Sequence, residues 1–323
     1  MSRSARIAVL AAAVLLAGCS RGDSPTEAAQ TAQFDQPVEV TNCETLQRFE
    51  SPPQRIVSMN DHVTEVLIEM GVADRIVGMG YRNAVPTPET AEKFASIEGL
   101  ADEYPTKEQI LDLEPDLVVG GMRSAFDDKE GRSRASFAEL DIPTFLFSEY
   151  CGAGLADIGM LETDYAQLGD ILGVADAARD VTDGVVSGLA EIDDALAGVA
   201  PTPTFFYDSG ENEPTTIGSV GVGQLIADHA GAENIFPEGD RPYLGTTWEL
   251  VGERAPEAIV VLDYGDTSAE DKIDFLKSQP IMATTPAVQQ DNFVVVPLDD
   301  CFQSPRLVGS AETIARSLHP DRF

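Results

Sequence analysis

The sequence predicts an α/β protein of two similar lobes joined by one long α-helix. The first observation is a repeat: KEQILDLEPDLVVGG places Glu108 seven residues before Pro115, and WELVGERAPEAIVVLD places Glu249 seven residues before Pro256. Each copy has the pattern of a short helix, a Pro-marked turn and a buried β-strand. The second observation is that residues 155–198, between the copies, contain no proline. Internal duplication implies two lobes with a cleft between them.

Residues 1–19 have the features of an export signal. Two arginines precede the apolar run of residues 7–17, which is shorter than the roughly 20 residues that a membrane-spanning helix needs. The sequence LAGC, ending at Cys19, resembles the lipidation site of a bacterial lipoprotein. The alternative is an ordinary cleaved secretory peptide with an incidental cysteine. Residues 20–36 are small and polar, and we expect them to form a flexible tether.

Residues 37–154 are expected to form the N-terminal α/β lobe. In its first helix, residues 61–71, the apolar positions from Val63 to Met70 recur at i, i+3, i+4 and i+7, and Gly71 provides a left-handed cap. In chain order the sequence predicts a hairpin (PVEVTNC with LQRFE), the strand RIVSM, this helix, the strand RIVGMG, an irregular Pro-rich segment, the Glu108 helix, and the strands LVVGG and PTFLF.

Residues 155–199 are expected to be linker helices. Gly173 is the predicted break, and the second piece has apolar residues at helical spacing from Val181 to Leu196. A helix of about 24 residues would be about 36 Å long, the span of a small lobe. Such a helix predicts a stiff hinge and small closure movements.

Residues 200–323 are expected to form the C-terminal α/β lobe, with the same order of elements. The predicted elements are the strand PTFFYDS, the helix VGQLIADHAG, the Glu249 helix, the strands AIVVLDY and FVVVPLDD, and a last helix near 305–318. The first lobe has 19 additional residues, because Gly71 and Glu108 are 37 residues apart whereas Gly231 and Glu249 are 18 apart.

The composition excludes several classes of partner and activity. The formal net charge is −34, and it becomes −36 when Arg3 and Arg6 leave with the signal, so no nucleic acid partner is expected. We interpret the acidity as a solvated surface, which would also suit high salt. The sequence contains no GxSxG, HExxH or P-loop lysine motif, which predicts that the protein is not an enzyme.

Three cysteines remain once Cys19 is assigned to lipid, so at most one intrachain disulfide is expected. Cys151 and Cys301 each follow a strand and should face the cleft from opposite sides. A bond between these two would lock the cleft. We therefore favour Cys43–Cys151, within the first lobe, and expect Cys301 to be free.

Several segments together are similar to a known family. They are the LAGC site, PPQRIVSMNDHVTEVLIEMGVADRIVGMGY, YPTKEQILDLEPDLVVGG, the linker helix and TTWELVGERAPEAIVVLDYG. They resemble a substrate-binding lipoprotein of an ABC importer, of the single-helix-linker type that serves ferric siderophores, cobalamin and haem. The resemblance implies two Rossmann-like lobes in a class III periplasmic-binding-protein-like fold. It also implies a monomer outside the cytoplasm, anchored to the membrane by its N-terminal lipid alone.

The same resemblance gives Glu108 and Glu249 a role. In that family each lobe offers one exposed glutamate to arginines of the membrane permease, and these two residues match the positions. Two carboxylates held apart by a stiff body would give a two-point, charge-assisted docking. The alternative is that both glutamates only favour helix N-termini through the helix dipole.

Ligands of open α/β sheets bind beyond the carboxyl ends of the strands. Aromatic faces with arginines suit a flat anionic chelate, and the resemblance makes a ferric siderophore the leading ligand, with haem or cobalamin as the alternative. Asp208 and Asp299 also follow strands. The residues selected as ligand contacts are Asn60, His62, Tyr81, Arg82, Met122, Arg123, Tyr207, Tyr243, Trp248, Tyr264 and Arg306.

A protein-bound metal and an intrinsic cofactor are not expected, because the chain has only three histidines. His62 could ligate haem iron, with Tyr81 or Tyr207 opposite, or it could cap the following helix or line the pocket. From a different class, the alternative function is a tethered cell-surface hydrolase or sensor.

Overall fold

The computed structural model describes residues 33–82, 85–151 and 157–323. The predicted signal with Cys19 and most of the predicted tether lie outside the described residues. Phe34 is described and packs against the apolar core, so the folded body begins before residue 37, the predicted start of the first lobe. No helix in the described part of the chain is long and apolar enough to cross a membrane.

The first half carries a hairpin and then strands alternating with helices. Its elements are β1 (Val38–Asn42), β2 (Thr45–Phe49), β3 (Ile56–Ser58), α1 (Asp61–Glu69), β4 (Ile76–Met79), α2 (Ala91–Ser96), α3 (Lys107–Leu111), β5 (Leu117–Gly120), α4 (Arg134–Ala138) and β6 (Thr144–Leu146).

Two helices follow, and then the second half repeats the alternation. These elements are α5 (Ile158–Leu172), α6 (Ala175–Ala195), β7 (Thr202–Tyr207), β8 (Thr215–Ile217), α7 (Val222–His229), β9 (Ala232–Asn234), β10 (Tyr243–Gly245), α8 (Trp248–Arg254), β11 (Ala258–Asp263), α9 (Ala269–Ser278), α10 (Pro286–Gln289), β12 (Phe293–Pro297) and α11 (Leu307–Leu318).

The two halves have the same sheet topology. The first sheet has the order β4-β3-β5-β6 and the second β9-β7-β11-β12, with every neighbouring pair parallel. In both sheets the strands therefore stand in the order second, first, third, fourth along the chain. The predicted duplication is confirmed. The pairs β1–β2 and β8–β10 are separate antiparallel additions.

The two halves also share the backbone angles of individual residues at equivalent positions. Glu114 and Ala255, each directly before the repeated proline, have φ of +47° and +46°. Gly71 and Gly231 follow the first helix of each half, with φ of +81° and +64°. Left-handed angles are unusual for residues other than glycine. The equal spacing in sequence thus corresponds to the same turn in each half.

The linker consists of α5 and α6, and it breaks at Gly173, which has φ of +69°. A Cβ placed on Gly169 of α5 would lie 2.5 Å from the Cβ of Ala178, so the two helices touch closely there. A Cβ on Gly188 would lie 2.6 Å from Val308 of α11. The helix α6, about 31 Å long, is therefore fixed to α5 at one end and to the second half at the other.

One apolar cluster extends through both halves. It includes Phe145 in the first sheet, Tyr165 of α5, Leu189 of α6, and Phe206 and Val260 in the second sheet. Residues 33–323 accordingly pack as one compact unit. Closely packed interiors resist large relative movements, and the stiff hinge stays a prediction.

Cys43 and Cys151 form a disulfide with a Cα–Cα distance of 4.9 Å, which confirms the favoured pairing. Cys301 is free, as expected, but it is buried rather than facing the cleft. Its sulfur lies 3.5 Å from the Pro297 carbonyl oxygen and 3.7 Å from the Ser310 hydroxyl. Burial raises the pKa of the Cys301 thiol to about 12.

Candidate functional site

A cavity of about 800 Å³ opens where the carboxyl ends of both sheets meet. Its lining comes from the segments that follow β4, β5 and β6 in the first half and β7, β11 and β12 in the second, and from the strands β8 and β10. This is the position at which open parallel sheets hold ligands. The lining residues are Tyr81, Asp102, Glu103, Met122, Tyr150, Asp208, Thr215, Tyr243, Tyr264, Gly265, Asp266, Leu298, Asp299 and Phe302.

Four tyrosines give the cavity aromatic walls, and Tyr81 is held in a strained conformation. Its φ is +53°, its N–H donates to the Glu103 carbonyl oxygen at 2.7 Å, and its ring lies 4.9 Å from that of Tyr104. Left-handed backbone at a large residue is unfavourable and is often found at binding sites. Burial raises the pKa of Tyr264 to about 12, so this phenol is a neutral hydrogen-bonding group.

The cavity is strongly acidic. Five of its lining residues are carboxylates: Asp102, Glu103, Asp208, Asp266 and Asp299. Burial, reinforced by the Asp61 charge, raises the pKa of Asp299 to about 6. None of the described lining residues is a lysine, arginine or histidine.

Lys272 is the cation that lies directly behind one wall. Its Nζ is 4.1 Å from the centroid of the Tyr264 ring. The ammonium group is buried, and it donates to the carbonyl oxygens of Asp208 at 2.9 Å and Leu262 at 2.6 Å. It therefore ties the ends of β7 and β11 together and orients Tyr264 toward the cavity.

A groove of about 1020 Å³ adjoins the cavity and shares Met122, Tyr150 and Tyr243 with it. Arg123 and Arg241 line this groove together with several aspartates. The Nη2 of Arg123 donates to the Tyr150 carbonyl oxygen at 3.1 Å. Of the residues selected from the sequence, Tyr81, Met122, Tyr243 and Tyr264 lie in the cavity, and Arg123 lies in the groove.

Two selected arginines do not line the cavity, because each contacts other groups of the protein. Arg306 pairs with Glu65 at 3.2 Å and with Asp300, and it donates to the Val85 carbonyl oxygen at 3.0 Å. The guanidinium of Arg82 lies over the ring of Phe94, 5.8 Å from its centroid. Neither lines the cavity, because internal carboxylates and an aromatic ring hold them.

Tyr207 and Trp248 also lie outside the cavity, contrary to expectation. Both are buried in a second apolar cluster, on the face of the second sheet opposite to the cluster that both halves share. The Nε1 of Trp248 donates to the Glu211 carbonyl oxygen at 2.8 Å. Because side chains alternate along a strand, the neighbour Asp208, rather than Tyr207, reaches the cavity.

Asn60 and His62 lie beneath the cavity floor rather than on it. Asn60 donates to the Tyr104 hydroxyl at 3.0 Å and accepts from the Gly121 N–H at 2.9 Å. His62 stacks on Phe302 with ring centroids 4.8 Å apart. A Cβ at Gly121 would lie 1.9 Å from His62 Nε2, so this packing requires glycine.

The sequence reasoning missed Tyr150 and Phe302, and it left Asp208 and Asp299 out of the selected contacts. The position directly after a strand identifies both aspartates, but aromatic and cationic residues near them were selected as ligand contacts instead. Tyr150 follows β6 in a short turn. No group of three or more His, Cys, Asp or Glu side chains within the described ranges is arranged to hold a metal ion.

Polar contacts also join the first half and the linker helix α5 to the second half. The Glu149 Oε1 accepts from the N–H of Val222, at the start of α7, at 2.9 Å. Burial raises the pKa of Glu149 to about 7. Gln303 donates to Asp164 at 2.9 Å, and the Tyr165 hydroxyl donates to the Gln303 carbonyl oxygen at 3.3 Å.

Glu108 and Glu249 occupy equivalent, exposed positions. Each is the second residue of its helix, after a threonine N-cap: Thr106 accepts from the third N–H of α3 at 3.2 Å, and Thr247 does so in α8 at 3.3 Å. Neither glutamate belongs to an ion pair within the described part of the chain.

Comparison with known proteins agrees with this architecture. An uncharacterized ABC transporter substrate-binding lipoprotein, YvrC of Bacillus subtilis, is 23% identical over 98% of this chain and 96% of its own length. The cobalamin-binding protein of Halobacterium salinarum is 24% identical over 98% of this chain and 85% of its own. A solved structure described as an ABC-type Fe3+-hydroxamate transport system from Saccharomonospora viridis superposes with a TM-score of 0.75 at 21% identity, covering 88% of this chain and 99% of that one. The family model for periplasmic binding proteins matches residues 56–299, and the chain therefore belongs to the periplasmic binding protein family.

Proposed function

We propose that this protein is the extracytoplasmic solute-binding component of an ABC importer, and that it captures a ferric siderophore in the cleft between its lobes. The observation that carries the proposal is the cavity of about 800 Å³ at the carboxyl ends of two duplicated parallel sheets, lined from both halves. A cavity of this size suits a small molecule.

The names of similar proteins support this class of ligand. The solved structure from Saccharomonospora viridis belongs to an Fe3+-hydroxamate system, and the relative from Halobacterium salinarum is a cobalamin-binding protein. Cobalamin is therefore the second candidate. Both are large chelates with a metal at the centre and polar groups at the rim, which suits aromatic walls with hydrogen-bonding phenols and carboxylates.

The proposal includes a lipid anchor at Cys19 and a permease as partner. YvrC is a lipoprotein by name, and the disulfide between Cys43 and Cys151 suits an oxidising compartment outside the cytoplasm. Glu108 and Glu249 would bind basic residues of the permease from equivalent positions on the two halves. The continuous core favours a small closure around the ligand.

Isothermal titration calorimetry with a ferric trihydroxamate, cyanocobalamin and haemin tests the proposal. Calorimetry is preferable to tryptophan fluorescence, because the single tryptophan, Trp248, is buried away from the cavity. We expect the trihydroxamate to bind, and Tyr264→Ala to weaken binding at least about tenfold through loss of a stacking face. The matched control is Phe323→Ala, an exposed aromatic residue at the C-terminus. Absence of binding to all three compounds would reject the function.

A further inference from the structure

The charge of the cavity points to the charge of its ligand. We propose that the cleft accepts neutral or cationic metal complexes and rejects anionic ones. The inference rests on the proposed function, because it takes the cavity as the ligand site, and it reverses the expectation of an anionic chelate that the sequence suggested. Five carboxylates line the cavity, and none of the described lining residues is a lysine, arginine or histidine.

Two cations beside the cavity already have internal partners, and the exposed Arg82 lies over the ring of Phe94. Arg306 is shared by Glu65 and Asp300, and Lys272 donates to two strand-end carbonyl groups. Recruiting Arg306 would leave the buried Glu65 carboxylate without a cation, and recruiting Lys272 would remove a donor from two carbonyl oxygens. Either change has a cost that moving a surface charge would not incur. The internal residues outside the description, 83–84 and 152–156, include no basic residue in sequence.

The adjoining groove does not reverse this balance. Arg123 and Arg241 line it, but so do Asp127, Asp128 and Asp240, and the Arg241 Nε lies 3.9 Å from the Asp240 carboxylate. An anionic arm of a ligand that extended into the groove would therefore meet aspartates as well as arginines. The lining of the groove therefore adds no net positive charge beside the cavity.

The aromatic walls favour the same class of ligand. The faces of Tyr81, Tyr150, Tyr243 and Tyr264 carry negative electrostatic potential, which attracts cations, and Tyr264 already has the Lys272 ammonium against its ring at 4.1 Å. Carboxylates accept from ammonium and amide N–H groups. A ferric trihydroxamate with an ammonium arm, or a corrin ring with amide side chains, presents such donors. A tris-catecholate or a porphyrin with free carboxylates presents negative charge instead.

The test changes the charge of a ligand while its metal centre stays the same. Calorimetry at fixed ionic strength would compare a ferric trihydroxamate whose terminal amine is free, acetylated or succinylated, which makes the complex cationic, neutral or anionic. A parallel series uses aquocobalamin, cyanocobalamin and a cobalamin monocarboxylate. We expect each step toward negative charge to weaken binding roughly tenfold. We also expect affinity for the cationic form to fall as salt rises.

Asp266→Asn combined with Asp299→Asn should reduce the difference between the cationic and anionic forms to a few fold. Asp176→Asn, on the exposed side of α6, is the matched control and should leave the difference unchanged. Equal or tighter binding of the anionic form, or an unchanged difference in the double variant, would overturn the inference while leaving the proposed function intact. Failure of every compound in both series to bind would reject the proposed function and this inference with it.

Discussion

Glu149 makes the stability of the folded protein depend on pH in a predictable direction. Its carboxylate is buried between the two halves and accepts one hydrogen bond, from the N–H of Val222. Burial raises its pKa from the ordinary value of 4.5 to about 7. The folded state therefore binds the proton more tightly than the unfolded state does, and the free energy of unfolding falls as the pH rises from about 4.5 to about 7.

The size of the effect follows from the two pKa values. Each unit of difference corresponds to about 1.4 kcal/mol, so ionised Glu149 costs about 3 kcal/mol of stability at pH 8. Glu149→Gln keeps an oxygen that accepts from Val222 but cannot ionise. We expect the variant to match the wild type near pH 4.5 and to exceed its free energy of unfolding by about 3 kcal/mol at pH 8.

Urea unfolding followed by circular dichroism at pH 4.5, 6, 7 and 8 measures this difference. Comparison of the two proteins cancels the contributions of groups that do not interact with Glu149, such as Asp299, whose pKa is also raised. Glu139→Gln, at an exposed position, is the control and should give a small difference at every pH. A difference between Glu149→Gln and the wild type that did not grow with pH would refute the reasoning.

Three further predictions concern the partner, the ion pair between the halves and the disulfide. Glu108→Gln combined with Glu249→Gln should abolish most chelate uptake by iron-starved cells without changing ligand affinity, measured by uptake of labelled complex and by calorimetry. Arg306→Gln should lower the free energy of unfolding by roughly 3 kcal/mol, because it leaves Glu65, which is 2% exposed, as a buried charge without a cation; urea unfolding measures it. Cys43→Ser should lower the free energy of unfolding by about 3 to 5 kcal/mol, since the disulfide closes a loop with a sequence separation of 108 residues.

Each of these predictions has a matched control. Glu139→Gln with Glu253→Gln removes two exposed charges and should leave uptake intact; equal loss in both double variants would argue against docking by Glu108 and Glu249. Arg316→Gln breaks an exposed pair with Glu312 and should change stability by less than about 1 kcal/mol. Unfolding in a reductant should make the wild type and Cys43→Ser equally stable, and a persisting difference would assign the effect to packing.

The sequence predicted the topology well because the same order of helices and strands occurs twice in the chain. The spacing from glutamate to proline predicted two copies of one αβ unit, and both copies share the left-handed residue before proline, at Glu114 and Ala255. The short helices α2 and α4 were not predicted, because five or six residues are too few to show an apolar period. The helix α9 was missed although its Ser268 N-cap, which accepts from the Asp271 N–H, is a recognisable start signal.

The site was only partly predictable, because strand ends give the neighbourhood of a residue but not its direction. Tyr207 and Asp208 are adjacent, and which of them faces the cavity depends on the sheet's register, which no local pattern gives. The role of Arg306 depends on Glu65, which is 241 residues away in sequence. Because long-range pairs of this kind hold Arg306 outside the cavity, the cavity is lined by acidic rather than basic side chains.

The apolar cluster shared by both sheets and α6 has a consequence for how this protein can be divided. A fragment ending before α6 would leave the faces of Phe145 and Tyr165 exposed to water, and a fragment starting after it would do the same to Phe206 and Val260. Neither fragment would therefore fold as a smaller, soluble version of the protein. The two halves have the same topology, but they share one apolar interior. Unfolding should therefore proceed as a single cooperative event.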